Sequence, residues 1–114
     1  MKRALLIFFI VFIIMQFIQP NKENTTVDKN LEIKAPLEVM NILKTSCFDC
    51  HSNEVKYPWY SDIAPFSWVV ANHVNTGRKA LNFSIWENYS PEKKEEKLKE
   101  IFRTAYASMP LPSY

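Results

Sequence analysis

The distribution of apolar and polar residues divides the chain into three unequal parts. Met1-Lys2-Arg3 is a short basic start, Ala4 to Met15 is unbroken apolar sequence, and Phe17 and Ile18 extend the run past Gln16. A basic start followed by such a run predicts an export signal or a membrane anchor, so residues 1–20 are set apart from the fold. No small-residue cleavage site appears in Gln16-Phe17-Ile18-Gln19-Pro20, which favours an uncleaved anchor over a cleaved signal peptide. The run is nonetheless shorter than the roughly 20 apolar residues of a usual membrane span. Residues 21–34 begin with NKENTTVDKN, which is polar and lacks apolar periodicity, and are expected to form a tether. Residues 35–114 remain for one small domain.

Within that domain the spacing is helical. A helix is expected from about Pro36, with Leu37, Met40, Ile42 and Leu43 on its apolar side, up to Thr45. Residues 56–65 hold two prolines and three aromatic rings and predict an ordered loop. Phe66, Val69, Val70, His73 and Val74 fall at i, i+3, i+4, i+7 and i+8, which predicts a helix after Pro65 that Gly77 would end. Ser90-Pro91-Glu92 carries N-cap, first-turn proline and acidic first-turn signals for a last helix. Its apolar stripe is Leu98, Ile101, Phe102, Ala105 and Tyr106, continued by Met109 before Pro110 and Pro112 stop the helix. No strand pattern or repeat stands out. The fold class is therefore all-α.

Composition changes this picture little. The net charge of +2 is supplied by Lys2 and Arg3, so the exported part is balanced and carries no nucleic-acid footprint. A domain of about 80 residues has a modest core and is commonly stapled by a metal or cofactor. Both cysteines lie in Cys47-Phe48-Asp49-Cys50-His51, so no long-range disulfide forms within the chain. Three Asn-x-Ser/Thr sequences, at Asn24, Asn82 and Asn88, are read as chance in a bacterial context.

The chemistry concentrates in that C-x-x-C-H. Two thiols on one turn reach the two vinyl groups of a haem, and the histidine that follows is placed beneath the ring as proximal iron ligand. Zinc binding would want a second pair of ligands, and only His73 remains outside the motif. A redox dithiol is expected beside a βαβ pattern, which the chain lacks. For the sixth ligand the first candidate is Met109, a soft thioether ahead of Pro110-Leu111-Pro112, whose ligation suits electron transfer. His73 is the alternative, and an open position is the third. Arg78 and Lys79 are candidate partners of haem propionates, and Tyr57, Trp59, Tyr60 and Trp68 candidate walls of the ring.

The segments CFDCHSN, YPWYSDIAPFSW, HVNTGRKALNFSIW and MPLPSY occur in that order from residue 47 to the end. Together they resemble the small bacterial haem-binding domain family with a C-x-x-C-H motif, common in Bacteroidetes-type exported proteins. The resemblance spans about residues 36 to 114. It implies a cytochrome-c-like monohaem domain with one haem c, with Cys47 and Cys50 as thioether cysteines and His51 as proximal ligand. Met109, in its M-P-x-x-x-Y setting, corresponds to the candidate distal ligand. Family members usually continue past the equivalent of Tyr114 into a further helical segment, so the resemblance implies a C-terminally truncated domain here. The expected function is a single-electron carrier and not an enzyme, anchored on the periplasmic side of the bacterial cytoplasmic membrane and serving an unidentified redox partner. The alternatives are a haem-based gas or redox sensor, or a peroxidase-associated module, with a labile sixth ligand.

Overall fold

A computed structural model describes residues 1–110 of the chain; Leu111, Pro112 and Tyr114, which entered the reading of the distal loop, lie outside the described residues. The described part is all-helical. Five α-helices follow one another: α1 (Lys2–Gln16), α2 (Leu37–Ser46), α3 (Phe48–His51), α4 (Phe66–Ala80) and α5 (Pro91–Ala107). Short 3-10 turns lie at Lys29–Leu31, Trp59–Asp62 and Phe83–Asn88.

The core forms where α2 and α3 meet the turn Phe83–Asn88. Phe48, the second residue of the cysteine motif, stacks on Phe83 with ring centroids 5.5 Å apart and planes 7° from parallel. Trp86, Ile33 and Leu81 close this cluster, and Met40, Leu43, Tyr89 and Ile101 border it. The backbone is tied in at the same place, where the Ile33 amide donates to the Phe83 carbonyl at 2.9 Å. Asn82 caps the turn by accepting from the Ser84 amide at 3.0 Å. Hydrophobic periodicity does not reveal this element, because six residues of 3-10 helix complete only two turns.

Three expectations are corrected. Gly77 does not end α4, which runs on to Ala80. The buried face of α4 carries Ser67 and Ala71 beside Val74, the one member of the predicted stripe that is buried. Phe66 and Val69 are more than half exposed, and His73 is exposed as well. Small residues face inward because α3 lies close against α4, leaving no room for a phenylalanine or a histidine ring. On α5 the predicted stripe is likewise open: Leu98, Phe102 and Tyr106 are exposed, and only Ile101 reaches the core cluster. The start of α5 is as expected, with Ser90 Oγ accepting from the Lys93 amide at 3.2 Å and Pro91 in the first turn.

Residues 21–30, read as a tether, are hydrogen-bonded to the domain. The Asn24 carboxamide accepts from the Val55 amide at 3.1 Å and donates to the Val55 carbonyl at 2.9 Å. Lys22 pairs with Asp62 and donates to the Ser61 carbonyl at 2.9 Å. The polar composition that reads as solvated linker is used to satisfy backbone groups of the loop after the cysteine motif.

No helix among the described residues is long and apolar enough to cross a membrane. The 15 residues of α1 span about 22 Å at the helical rise. None of them is buried, although the helix is apolar on all sides from Ala4 to Met15.

The two kinds of apolar position should respond differently to truncation. Phe83 is 1% exposed, so Phe83→Ala should destabilise the domain by about 3–5 kcal/mol. Leu37 is 76% exposed, so Leu37→Ala should stay within about 0.5 kcal/mol of the parent. Denaturant unfolding followed by circular dichroism in detergent measures both.

Candidate functional site

The motif sits on a sharp junction between two helices. Cys47 ends α2, its amide donating to the Leu43 carbonyl at 2.9 Å, and at φ −122°, ψ −35° it breaks the helical run. Its carbonyl then accepts from the amides of Cys50, at 3.2 Å, and His51, at 2.9 Å, which closes the single turn of α3. Phe48 points into the core and fixes the rotation of this turn. Cys47 and Cys50 are consequently half-buried free thiols on one turn.

Ser52 and Asn53 lock the exit. Ser52 is fully buried; its hydroxyl donates to the Phe48 carbonyl at 2.6 Å and accepts from the Glu54 amide at 3.0 Å. The Asn53 amide donates to Ser84 Oγ at 2.9 Å, and its side-chain oxygen accepts from the Asn82 carboxamide at 2.8 Å. The sequence alone gave these positions no role, because a short polar residue after a motif carries no periodic signal. Asn24 and Asn82, read as chance sequons, prove to be structural amides.

His51 is held from behind. Its Nδ1 lies 2.9 Å from the Gly77 carbonyl and 3.0 Å from the Leu81 carbonyl. Both partners are acceptors only, so Nδ1 carries a proton and donates, and in the neutral ring Nε2 is the nitrogen that keeps its lone pair. The carbonyls come from the last turn and the C-cap of α4, at the negative end of the helix dipole, and that of Gly77 also accepts from the Leu81 amide at 2.9 Å. A hydrogen bond from Nδ1 to a carbonyl fixes the ring and makes the opposite nitrogen a better metal ligand.

Gly77 makes that arrangement possible. A Cβ built there would lie 2.5 Å from the Cys50 carbonyl oxygen and 3.2 Å from its carbon, so α3 and α4 touch backbone to backbone. A glycine inside a helix costs about 1 kcal/mol relative to alanine. Its use here is close approach, with no positive φ.

Burial raises the thiol pKa of both cysteines. For Cys47 the neighbouring Cys50 adds to the shift, and for Cys50 the carboxylate of Asp49 does. The thiols are therefore neutral at pH 7. A redox-active C-x-x-C works by the opposite perturbation, a depressed thiol pKa, so the dithiol reading loses support. Among the described residues no three His, Cys, Asp or Glu side chains gather as a metal site, which leaves the zinc reading without a complete donor set.

The remaining candidates fall elsewhere. Met109 lies just past α5, 41% exposed, its amide donating to the Thr104 carbonyl at 2.7 Å. His73 is exposed on α4, off the buried face. Arg78 is already committed: Nε donates to the Ser52 carbonyl at 2.7 Å, Nη1 to the Glu23 carbonyl at 3.0 Å and Nη2 to Asn24 Oδ1 at 2.6 Å. Instead of reaching for a propionate, it straps residues 23–24 to the motif loop. Trp68 donates from Nε1 to the Ile18 carbonyl at 2.6 Å, and Trp59 is exposed. Tyr57 has a buried hydroxyl without a hydrogen-bond partner.

Two outcomes are expected. Gly77→Ala should cost about 1–2 kcal/mol, the overpacking penalty less the gain in helix propensity, and should lower haem content per chain; thermal unfolding and Soret absorbance measure these. In haem-free protein, iodoacetamide alkylation of Cys47 and Cys50 should keep accelerating above pH 9, past the midpoint of an ordinary thiol. A plateau below pH 8 would contradict the burial effect.

No curated protein and no solved structure matches the chain. A family model described as a haem-binding domain matches residues 10–114, which include α2 to α5 and the whole cysteine motif. That match covers nearly the whole chain, and the chain belongs to this haem-binding domain family.

Proposed function

We propose that the chain carries one haem c, attached through Cys47 and Cys50 with His51 as proximal ligand, and works as a single-electron carrier. The observation that carries this reading is the hydrogen bonding of His51, whose Nδ1 is held by two carbonyls and whose Nε2 is left for a metal. Haem iron held there exchanges single electrons.

The chain's own groups have separable tasks. Cys47 and Cys50 are free, neutral thiols, the form whose S–H adds across a vinyl group. Donation from Nδ1 raises the basicity of Nε2, and Phe48 with Ser52 holds the turn rigid. Met109 is the sixth ligand in this reading, with His73 the alternative. The protein is not an enzyme.

The N-terminal segment is a retained anchor, and the domain lies on the periplasmic side of the cytoplasmic membrane. Two observations support this. An all-apolar helix with no buried residue needs surroundings other than water. Residues 16–22 also hydrogen-bond to the domain, a use that cleavage would sacrifice.

A second reading, a sensor with a labile sixth position, is favoured by the exposure of Met109 and by α5, which reaches the core through Ile101 alone among its apolar side chains.

Chain made with haem-maturation machinery should stain for haem on a denaturing gel, and Cys47→Ala with Cys50→Ala should abolish the stain. An unstained parent chain would refute covalent attachment. An unchanged ferrous spectrum under carbon monoxide is the result expected of the electron carrier. Rapid binding would favour the sensor.

A further inference from the structure

We propose that the turn Trp59–Asp62 and the start of α4 are seated in the headgroup layer of the membrane that α1 enters, so that the domain has one fixed face toward the bilayer. This rests on the anchoring reading above and goes beyond it. Anchoring alone would leave the domain free to tumble on a tether.

The first observation is how α1 is joined to the domain. The Gln16 carboxamide pairs with the backbone of Ala64, accepting from its amide at 3.0 Å and donating to its carbonyl at 3.2 Å. Gln19 Nε2 donates to the Asp62 carbonyl at 3.4 Å, and Trp68 Nε1 donates to the Ile18 carbonyl at 2.6 Å. Lys22 pairs with Asp62 and bonds to the Ser61 carbonyl. Every one of these partners lies between residues 61 and 68. The end of the apolar helix is therefore fixed to one corner of the domain.

The second observation is length. The helix spans about 22 Å, against about 30 Å of hydrocarbon in a typical bilayer. A short apolar segment thins the bilayer locally and draws its flanking residues to the interface. Gln16 and its partner Ala64 are thereby held at the hydrocarbon boundary instead of out in water. The headgroup layer beyond it is about 5–8 Å deep on each side. Trp59 lies about 6 Å along the 3-10 axis from Asp62, and Phe66 follows Ala64 by two residues, so both fall within that layer.

The third observation is composition. Trp59 is 77% exposed and Tyr60 42% on the turn, and Phe66 at the start of α4 is 59% exposed, three open aromatic rings within eight residues. Tryptophan and tyrosine are the side chains that gather at membrane–water interfaces, with ring in the acyl boundary and polar tip among the headgroups. The charges on this turn are compatible with that layer, since Asp62 is paired with Lys22. The inference places the domain in one orientation, with its motif at a set height above the lipid.

Nitroxide depth measurement tests this with the full haem-loaded chain in phosphatidylcholine–phosphatidylglycerol nanodiscs. Covalent haem occupies the native thiols, so Trp59→Cys, Phe66→Cys and, as a distant control, Lys99→Cys each offer one labelling site. All three side chains are exposed, so the fold is retained. At positions 59 and 66 oxygen collision should exceed that at 99 several-fold, with collision by a water-soluble nickel chelate correspondingly reduced. Values at 59 and 66 equal to those at 99, in chain that remains with the discs, would overturn the seating and leave the anchor standing. Chain that leaves the discs in salt, or is isolated from cells without its first 20 residues, would overturn the anchor and the seating with it.

Discussion

The contact on which the rest of the site depends is the approach of α3 to α4 at Gly77. At this point the Cys50 backbone meets a helix that has no side chain there. Because α4 ends three residues later, the carbonyls of its last turn and C-cap face the arriving His51 ring, that of Gly77 while also accepting from the Leu81 amide. One N–H then serves two acceptors, and the ring is oriented by a helix terminus instead of by a side chain. A backbone partner of this kind adds no side-chain entropy cost to the site and does not titrate. It fixes the tautomer at any pH at which the histidine is neutral.

Around that contact the structure spends its polar residues on backbone. Asn24, Asn53, Asn82, Ser52, Ser84 and Arg78 all bond to main-chain groups or to one another, and together they brace the loop that follows His51. A small domain with a short apolar core gains rigidity this way where aliphatic packing is scarce. Arg78 shows the consequence for function. Its guanidinium is satisfied by Ser52, Glu23 and Asn24 and so belongs to the scaffold.

The two ends of the chain contrast. The N-terminal helix, with none of its residues buried by the domain, is joined at its end by the Gln16–Ala64 amide pairing and just beyond it by the Trp68 indole N–H. The C-terminal helix carries a well-formed N-cap and surface ion pairs such as Lys99 with Glu95, yet presents Leu98, Phe102 and Tyr106 outward. Exposed ion pairs of this type stabilise a helix by a few tenths of a kcal/mol and do not dock it. Order within α5 is thus local, while its position relative to the motif rests on Ile101 and the Lys94–Glu87 pair.

The sequence by itself determined the all-helical class, the start of α2, α4 and α5, and the place of the candidate site at residues 47–51. These are local properties: caps, prolines and a five-residue motif act within a turn or two of chain. It placed the buried face of α4 only in part: Val74 is buried as read, but periodicity ranks residues by hydrophobicity and passed over the small buried residues Ser67 and Ala71. It also read residues 21–30 as solvated, since a polar side chain bonded to backbone looks the same in sequence as one bonded to water. Only the tertiary structure decided that the His51 proton sits on Nδ1, that Gly77 is a contact and not a cap, and that Gln16 joins α1 to Ala64. Each joins residues 26 to 48 positions apart, and no local pattern encodes such a pairing.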